Sequence, residues 1–219
     1  MLPFPPDIHT HNPSRRANAI ISGSPDQVSR WCRLWPDAQF SVGIHPWDTA
    51  ALTSKELELE TQLQLLEQTA MLPQVKAIGE TGLDTLRGAP LDTQEEILRH
   101  HITISEKLGK PLILHIVRAA DHLLHLRRTF LPTLSQPWIW HGFRGKPRLA
   151  NQFLALSTEA SAAYISLGAH FNPETARTIP AGRLLTETDD SHLDIDEVRR
   201  RIDHARQVSD PGTGSATSR

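Results

Sequence analysis

Cysteine is almost missing from this 219-residue chain, with Cys32 standing alone. No intramolecular disulfide can form, which excludes a disulfide-stapled scaffold and fits a reducing compartment. Net charge is scarce as well: 23 Lys+Arg against 25 Asp+Glu leave −2. That balance excludes a protein that coats nucleic acid through bulk positive charge, so any grip on phosphate has to be local. No apolar run reaches the roughly 18 residues of a membrane-spanning helix, so no membrane partner is expected. Residues 1–6 lack the basic-then-apolar layout of an export signal, and a cytoplasmic setting is the expectation. No obligate protein partner is evident.

Histidine, by contrast, is abundant, with 12 residues. With one cysteine, any metal would have to be held by imidazole and carboxylate rather than thiolate. Charged residues at 22% and hydrophobic ones at 38% are ordinary for a globular chain.

Short apolar or β-branched runs recur along the chain at residues 7–9, 19–22, 40–44, 75–79, 111–117, 138–141, 163–167 and 183–187. Gly or Pro bounds most of them, as expected for buried parallel strands. Amphipathic helical patterns cover 54–71, 93–108, 119–130, 146–157 and 194–208, with a shorter one at 25–34. Ser54 reads as an N-cap, and Thr93-Gln94-Glu95-Glu96 as a capping box closed at the far end by Gly109. The link from His11 to Ala19 is too short and polar for a crossover helix. Strand–helix alternation predicts an α/β fold, a (β/α)8 TIM barrel whose first crossover helix is missing or very short. One barrel domain is expected over residues 1–208, followed by a disordered tail over 209–219.

The polar residues then fall at the strand ends. His9 and His11 form an H-x-H clip on the first strand, where alternation sends both side chains to one side. His45 ends the third strand, Glu80 the fourth, His141 the sixth and Asp189 the eighth, while His115 lies late in the fifth. In such a barrel these ends converge on one face, where the chemistry is placed. Four imidazoles (His9, His11, His115, His141) with Glu80 and Asp189 amount to a divalent-metal site. Six protein ligands exceed the set a single catalytic zinc takes, so two ions are expected, with Glu80 able to bridge them. Hydrolysis, most often of a phosphoester, follows as the reaction class. Zn²⁺, Mn²⁺, Mg²⁺ or a similar ion fits these ligands.

The blocks Asp7-Ile-His-Thr-His11, Val42-Gly-Ile-His-Pro46, Gly79-Glu-Thr-Gly-Leu-Asp84, Pro111-Leu-Ile-Leu-His115, His141-Gly-Phe-Arg-Gly145 and Leu185-Thr-Glu-Thr-Asp189 stand in an order that resembles the TatD family of metal-dependent hydrolases. The resemblance implies an amidohydrolase-like barrel, a dinuclear divalent-metal site and, as in several members, deoxyribonuclease activity of an exonuclease kind. It implies that His9, His11 and Asp189 hold one ion, that His115 and His141 hold the other, and that Glu80 bridges. Asp189 would also orient or deprotonate the attacking water, making Asp189 and Glu80 the catalytic pair. DNA or another phosphodiester is the implied substrate; cleavage of a C–N or C–O bond in a small molecule is the alternative. The chain departs from the family pattern at Thr85, at Arg118 (one residue late after His115), at Arg144, and at Asp190-Ser191 after Asp189. All of these lie in loops.

His45, Arg118 and Arg144 are the candidate substrate-binding residues, the two arginines because a guanidinium fork suits phosphate oxygens. Lys146 reads as surface. Asp84 is placed to orient a metal-binding histidine or an arginine. Trp47 is the better base-stacking candidate; Trp31 and Trp35, four apart on a helix, read as core. His100, His101, His122, His125 and His204 read as structural or exposed, and His170 and His192 as loop residues.

Overall fold

Eight parallel strands pair in chain order in the computed structural model, which describes residues 4–54 and 56–208. They are β1 (Asp7–Thr10), β2 (Ala19–Gly23), β3 (Gln39–Val42), β4 (Val75–Asp84), β5 (Leu112–Val117), β6 (Trp138–Trp140), β7 (Ala163–Leu167) and β8 (Leu184–Thr186). A parallel bridge between Thr10 and Asp189 joins the first strand to the last, so the sheet is a nearly closed barrel. The helices are α1 (Pro25–Leu34), α2 (Thr49–Thr53), α3 (Glu56–Ala70), α4 (Leu91–Leu108), α5 (Ala120–Phe130), α6 (Pro147–Leu154), α7 (Pro173–Thr178) and α8 (Ile195–Gln207). The expected (β/α)8 barrel is therefore the fold. Between β1 and β2 there is only a 3-10 turn, Pro13–Arg15, as the short link requires. The expected tail, 209–219, lies outside the described residues.

Two local readings are corrected. The helix expected over 54–71 is α3, but Ser54 does not cap its start: Ser54 closes α2, its hydroxyl donating to the Ala51 carbonyl at 2.7 Å. The capping box at 93–96 does not form either, because α4 already begins at Leu91 behind Pro90. The buried Gln94 side chain turns instead to the β4–α4 loop. It donates to the carbonyls of Asp84, Arg87 and Ala89 and accepts from the Asp84 N–H. A side chain whose two N–H groups are shared among three carbonyls and whose oxygen takes an N–H of a tight loop does more there than at a helix end.

The apolar residues form two clusters. The larger lies between strands and helices and includes Val28, Phe40, Leu66, Leu98, Trp138, Phe153 and Ile202. The smaller takes Ile8, Ala77, Ile113, Ile139 and Leu185 from five strands and plugs the barrel. Ile113, Ile139 and Leu185 stand two residues before His115, His141 and Glu187, so alternation places those polar groups on the same face, above the plug.

His101 is fully buried on α4, and far from inert to the site. Its Nδ1–H donates to the Ile97 carbonyl at 2.8 Å, and its Nε2 accepts the Ile44 N–H at 2.9 Å, beside His45. Burial pushes its pKa down to about 4, against the help of the Ile97 carbonyl. The unfolded chain therefore binds the extra proton first as pH falls below about 6.5. Stability from this group is whole above that pH and is lost towards about 4, a loss of about 3 kcal/mol. Urea midpoints at pH 7 and pH 4.5 should show the loss in the wild type and a smaller one in His101→Asn. Equal pH slopes would exclude His101 as the source.

Candidate metal centre

Glu80 does not end the fourth strand as expected but lies within β4, which runs on to Asp84 beside β5; its side chain is 4% exposed, at the centre of five histidines. Close backbone approach places it there. A Cβ on Gly43 would lie 2.4 Å from the Glu80 carbonyl, so only glycine lets β3 come this near. Gly82 has φ +147, and its Cβ would lie 2.0 Å from the His115 carbonyl, which fixes the approach of β5 in the same way.

The two carboxylate oxygens of Glu80 face different groups. Oε2 lies 3.2 Å from His9 Nε2 and 3.1 Å from His11 Nε2, with Asp189 Oδ1 at 3.8 and 3.6 Å from those nitrogens. Oε1 lies 2.7 Å from His141 Nε2, 2.8 Å from His115 Nδ1 and 3.2 Å from His45 Nε2. Sequence reasoning named all six proposed ligands, and the fold gathers them around this one carboxylate.

Barrel closure delivers Asp189. Its N–H donates to the His9 carbonyl at 2.9 Å, and its own carbonyl accepts from the Thr10 hydroxyl at 3.2 Å. Asp189 has φ +51, a left-handed conformation that costs a non-glycine residue about 1–2 kcal/mol. The surrounding bonds hold it there. Asp7 reinforces the seam, accepting from the Thr188 N–H at 2.9 Å and the Thr188 hydroxyl at 2.7 Å.

Two further carboxylates stand behind the histidines. Asp84 Oδ2 is 3.4 Å from His115 Nε2, and Glu187 Oε1 is 3.4 Å from His141 Nδ1. Each can take the ring N–H and turn the other nitrogen's lone pair towards the centre. Glu187 also accepts the Gly142 N–H at 2.6 Å and is 0% exposed. Glu187 stands in the Leu185-Thr-Glu-Thr-Asp189 run but is not among the residues expected at the site. Its place two residues before Asp189, on the same face as the plug, was the available signal.

His45 differs from its neighbours. Its Nδ1 accepts the Trp47 N–H at 3.1 Å, so in the neutral ring the proton sits on Nε2, the nitrogen facing Glu80. In that tautomer the nitrogen is a donor suited to an oxygen, while by distance His45 also groups with Glu80 and His115 as a possible ion site.

The donor set fits divalent metal. Glu80 Oε2 and both ring nitrogens of His9 are buried and make no well-aligned hydrogen bond, although Oε2 lies at ion-pair distance from His9 and His11. Such orphaned atoms are costly unless something binds them. Burial opposes the charge on Glu80, but the imidazoles of His141 and His9 more than reverse this and hold its carboxyl well below the usual range. Burial likewise opposes the imidazolium of His141, and Glu80 with Glu187 more than restores it, well above the ordinary histidine value. A divalent cation can displace that proton and take the freed lone pair. By distance alone, four groups could hold an ion: His9, His11 and Glu80; His9, His141 and Asp189; His45, Glu80 and His115; and His11, Asp189 and Asp190.

The centre lies in a cavity of about 1040 Å³, whose wall also includes Arg118 and Arg144. Both arginines are exposed, and neither is ion-paired among the described residues. Lys146 is exposed at the start of α6, as expected of a surface residue. His100, His122 and His125 are exposed, while Trp31 packs on Phe40 in the core.

If Glu187 orients His141, Glu187→Gln should weaken metal affinity by about 10- to 100-fold without changing the ligand set. Titration with Mn²⁺ or Zn²⁺ checks this, and unchanged affinity would remove Glu187 from the account.

A nearly closed parallel barrel with a histidine–carboxylate cluster at the carboxyl ends of its strands defines a metal-hydrolase type of scaffold. The sequence signature of the TatD related DNase family matches residues 19–208, and the chain belongs to that family. His9 and His11 precede the matched stretch. The chain is 28% identical over 155 residues to a protein named deoxyribonuclease Tat-D from Schizosaccharomyces pombe, covering 68% of this chain and 50% of that one. It is 28% identical over 183 residues to a 3'-5' ssDNA/RNA exonuclease TatD from a Rahnella species, covering 80% and 67%. The chain thus spans half to two thirds of the length of these curated relatives. Among solved structures it resembles the TatD homologue YjjV of Escherichia coli K12, with a TM-score of 0.71, 22% identity, and 93% and 90% of the two chains covered. That likeness supports the fold. No helix among the described residues is long and apolar enough to cross a membrane.

Proposed function

We propose that the chain is a divalent-metal-dependent phosphodiesterase acting on nucleic acid, in the manner of an exonuclease, with two ions per chain. The observation that carries this reading is the division of Glu80, one oxygen facing His9, His11 and Asp189 and the other facing His115 and His141. When bound, the ions would supply an acidified water and offset the charge of the phosphate. His9, His11 and Asp189 would hold one ion, His115 and His141 the other, and Glu80 both.

The chain's own residues do the rest. Asp189, 29% exposed in its side chain, faces the cavity and would orient the water and take its proton. His45 would donate from Nε2 to a phosphate oxygen. Arg118 and Arg144 would hold the neighbouring phosphates as forked donors. The names of the relatives support a nucleic-acid substrate, and near-neutral charge favours a strand end over long duplex.

The test is a substrate panel with Asp189→Asn as control: single-stranded DNA, single-stranded RNA, a generic phosphodiester, and small amides and esters. Shortening of the nucleic acids from one end, lost in the variant, is expected. Cleavage of only the amides or esters would overturn the reading.

A further inference from the structure

Trp47 lines the same cavity as Glu80, His115 and Asp189 and is 47% exposed, whereas Trp138 and Trp140 are 0% and 5% exposed. Its ring is immobilised. The indole N–H donates to Asp84 Oδ2 at 2.6 Å, and the backbone N–H donates to His45 Nδ1 at 3.1 Å. His45 meets the ring edge-on, with centroids 4.9 Å apart. The Arg87 guanidinium lies over the ring, 4.2 Å from its centroid, on the loop that Gln94 pins. What sets Trp47 apart from the other exposed apolar side chains, such as Leu34 and Met71, is its place in the wall of the cavity and the bonds that fix its ring.

We propose that Trp47, backed by Arg87, is the stacking platform for a nucleobase next to the scissile phosphate. It would make the site selective for a nucleic-acid strand over a base-free phosphodiester. The inference rests on the phosphodiesterase reading and adds what that reading lacks, a contact to the base. Arg87 lies over the ring, His45 and His115 meet it in T-shaped contacts, and the half of the ring left exposed is what a base would meet. Every base has a π-face, so such a platform selects bases without reading sequence. Asp84 accepts from the Trp47 indole and lies 3.4 Å from His115 Nε2. One carboxylate thus sets the platform and the proposed metal-binding histidine in register, so a stacked base would fix where its phosphate falls.

Two single-stranded oligonucleotides, identical except for an abasic site at the nucleotide flanking the cleaved bond, test this with wild type, Trp47→Ala and Trp47→Phe. The wild type should show a lower KM for the intact strand. Trp47→Ala should raise that KM by about 10- to 100-fold and leave the abasic KM nearly unchanged. Trp47→Phe keeps a π-face and loses the bond to Asp84, so its KM should stay within a few-fold of wild type. An equal KM for both strands in the wild type, or an equal rise on both in Trp47→Ala, overturns the platform while phosphodiesterase activity stands. Cleavage of neither strand by the wild type removes the parent reading and the platform with it.

Discussion

Glu80→Gln is expected to lower turnover by about three orders of magnitude while leaving the fold intact. The amide keeps the shape of the carboxylate, so packing inside β4 should hardly change. It loses the charge, however, and replaces one of two acceptor oxygens with a donor. One oxygen faces His9 and His11 and the other His115 and His141, so either orientation of the amide aims N–H groups at ring nitrogens needed as lone pairs. One half of the centre then meets a donor and the other a neutral carbonyl oxygen, and both lose the negative charge. Steady-state rates on a single-stranded oligonucleotide, with circular dichroism as the folding control, measure this. Turnover within tenfold of wild type would contradict a bridging role.

Arg127→Ala is expected to destabilise the chain by about 3–5 kcal/mol, roughly 10 °C in Tm for a chain of this size. Arg127 is 0% exposed on α5, far in role from the cavity. Its Nε donates to the Leu156 carbonyl at 2.6 Å and its Nη2 to the Ser161 carbonyl at 3.1 Å. Its guanidinium lies over Trp138 and Phe153, at 5.0 and 5.7 Å from the ring centroids. Burial pulls its pKa down to about 10, so the charge survives at neutral pH without a carboxylate partner in contact. Alanine would leave a cavity and several unpaired buried acceptors. Arg127→Met, which fills the space, should lose distinctly less. Thermal melts of the two variants separate packing from hydrogen bonding, and equal losses would assign the whole effect to the lost donors.

The contrast between these two residues shows what was legible in the chain. Glu80 announces itself, because Gly79 and Gly82 flank it at the end of an apolar run and the fold rule for parallel barrels says where that end points. His9, His11, His115, His141 and Asp189 announce themselves in the same way. Their common signal is position at or just after the end of a short apolar run, which alternation and glycine or proline boundaries reveal without any tertiary knowledge, although β4 and β5 run on past Glu80 and His115. Arg127, Gln94 and His101 sit inside amphipathic helices and serve backbone groups of other segments: Leu156 and Ser161, the β4–α4 loop, and Ile44. Helical periodicity says only that they lie on a helix. Gln94 even mimics a capping box, and the loop it satisfies outweighs that local signal. Glu187 falls between the two cases, lying at a strand end but hidden by the more conspicuous Asp189.

The central claim is that Glu80 unites two cation sites in one chain, and the metal content of the purified protein tests it most directly. Elemental analysis after loading with Mn²⁺ or Zn²⁺ and removal of loose ions should give about two ions per wild-type chain, as a carboxylate-bridged pair requires. Glu80→Gln should retain fewer than one. The same ion content in both proteins, or no retained ion in the wild type, would contradict the account.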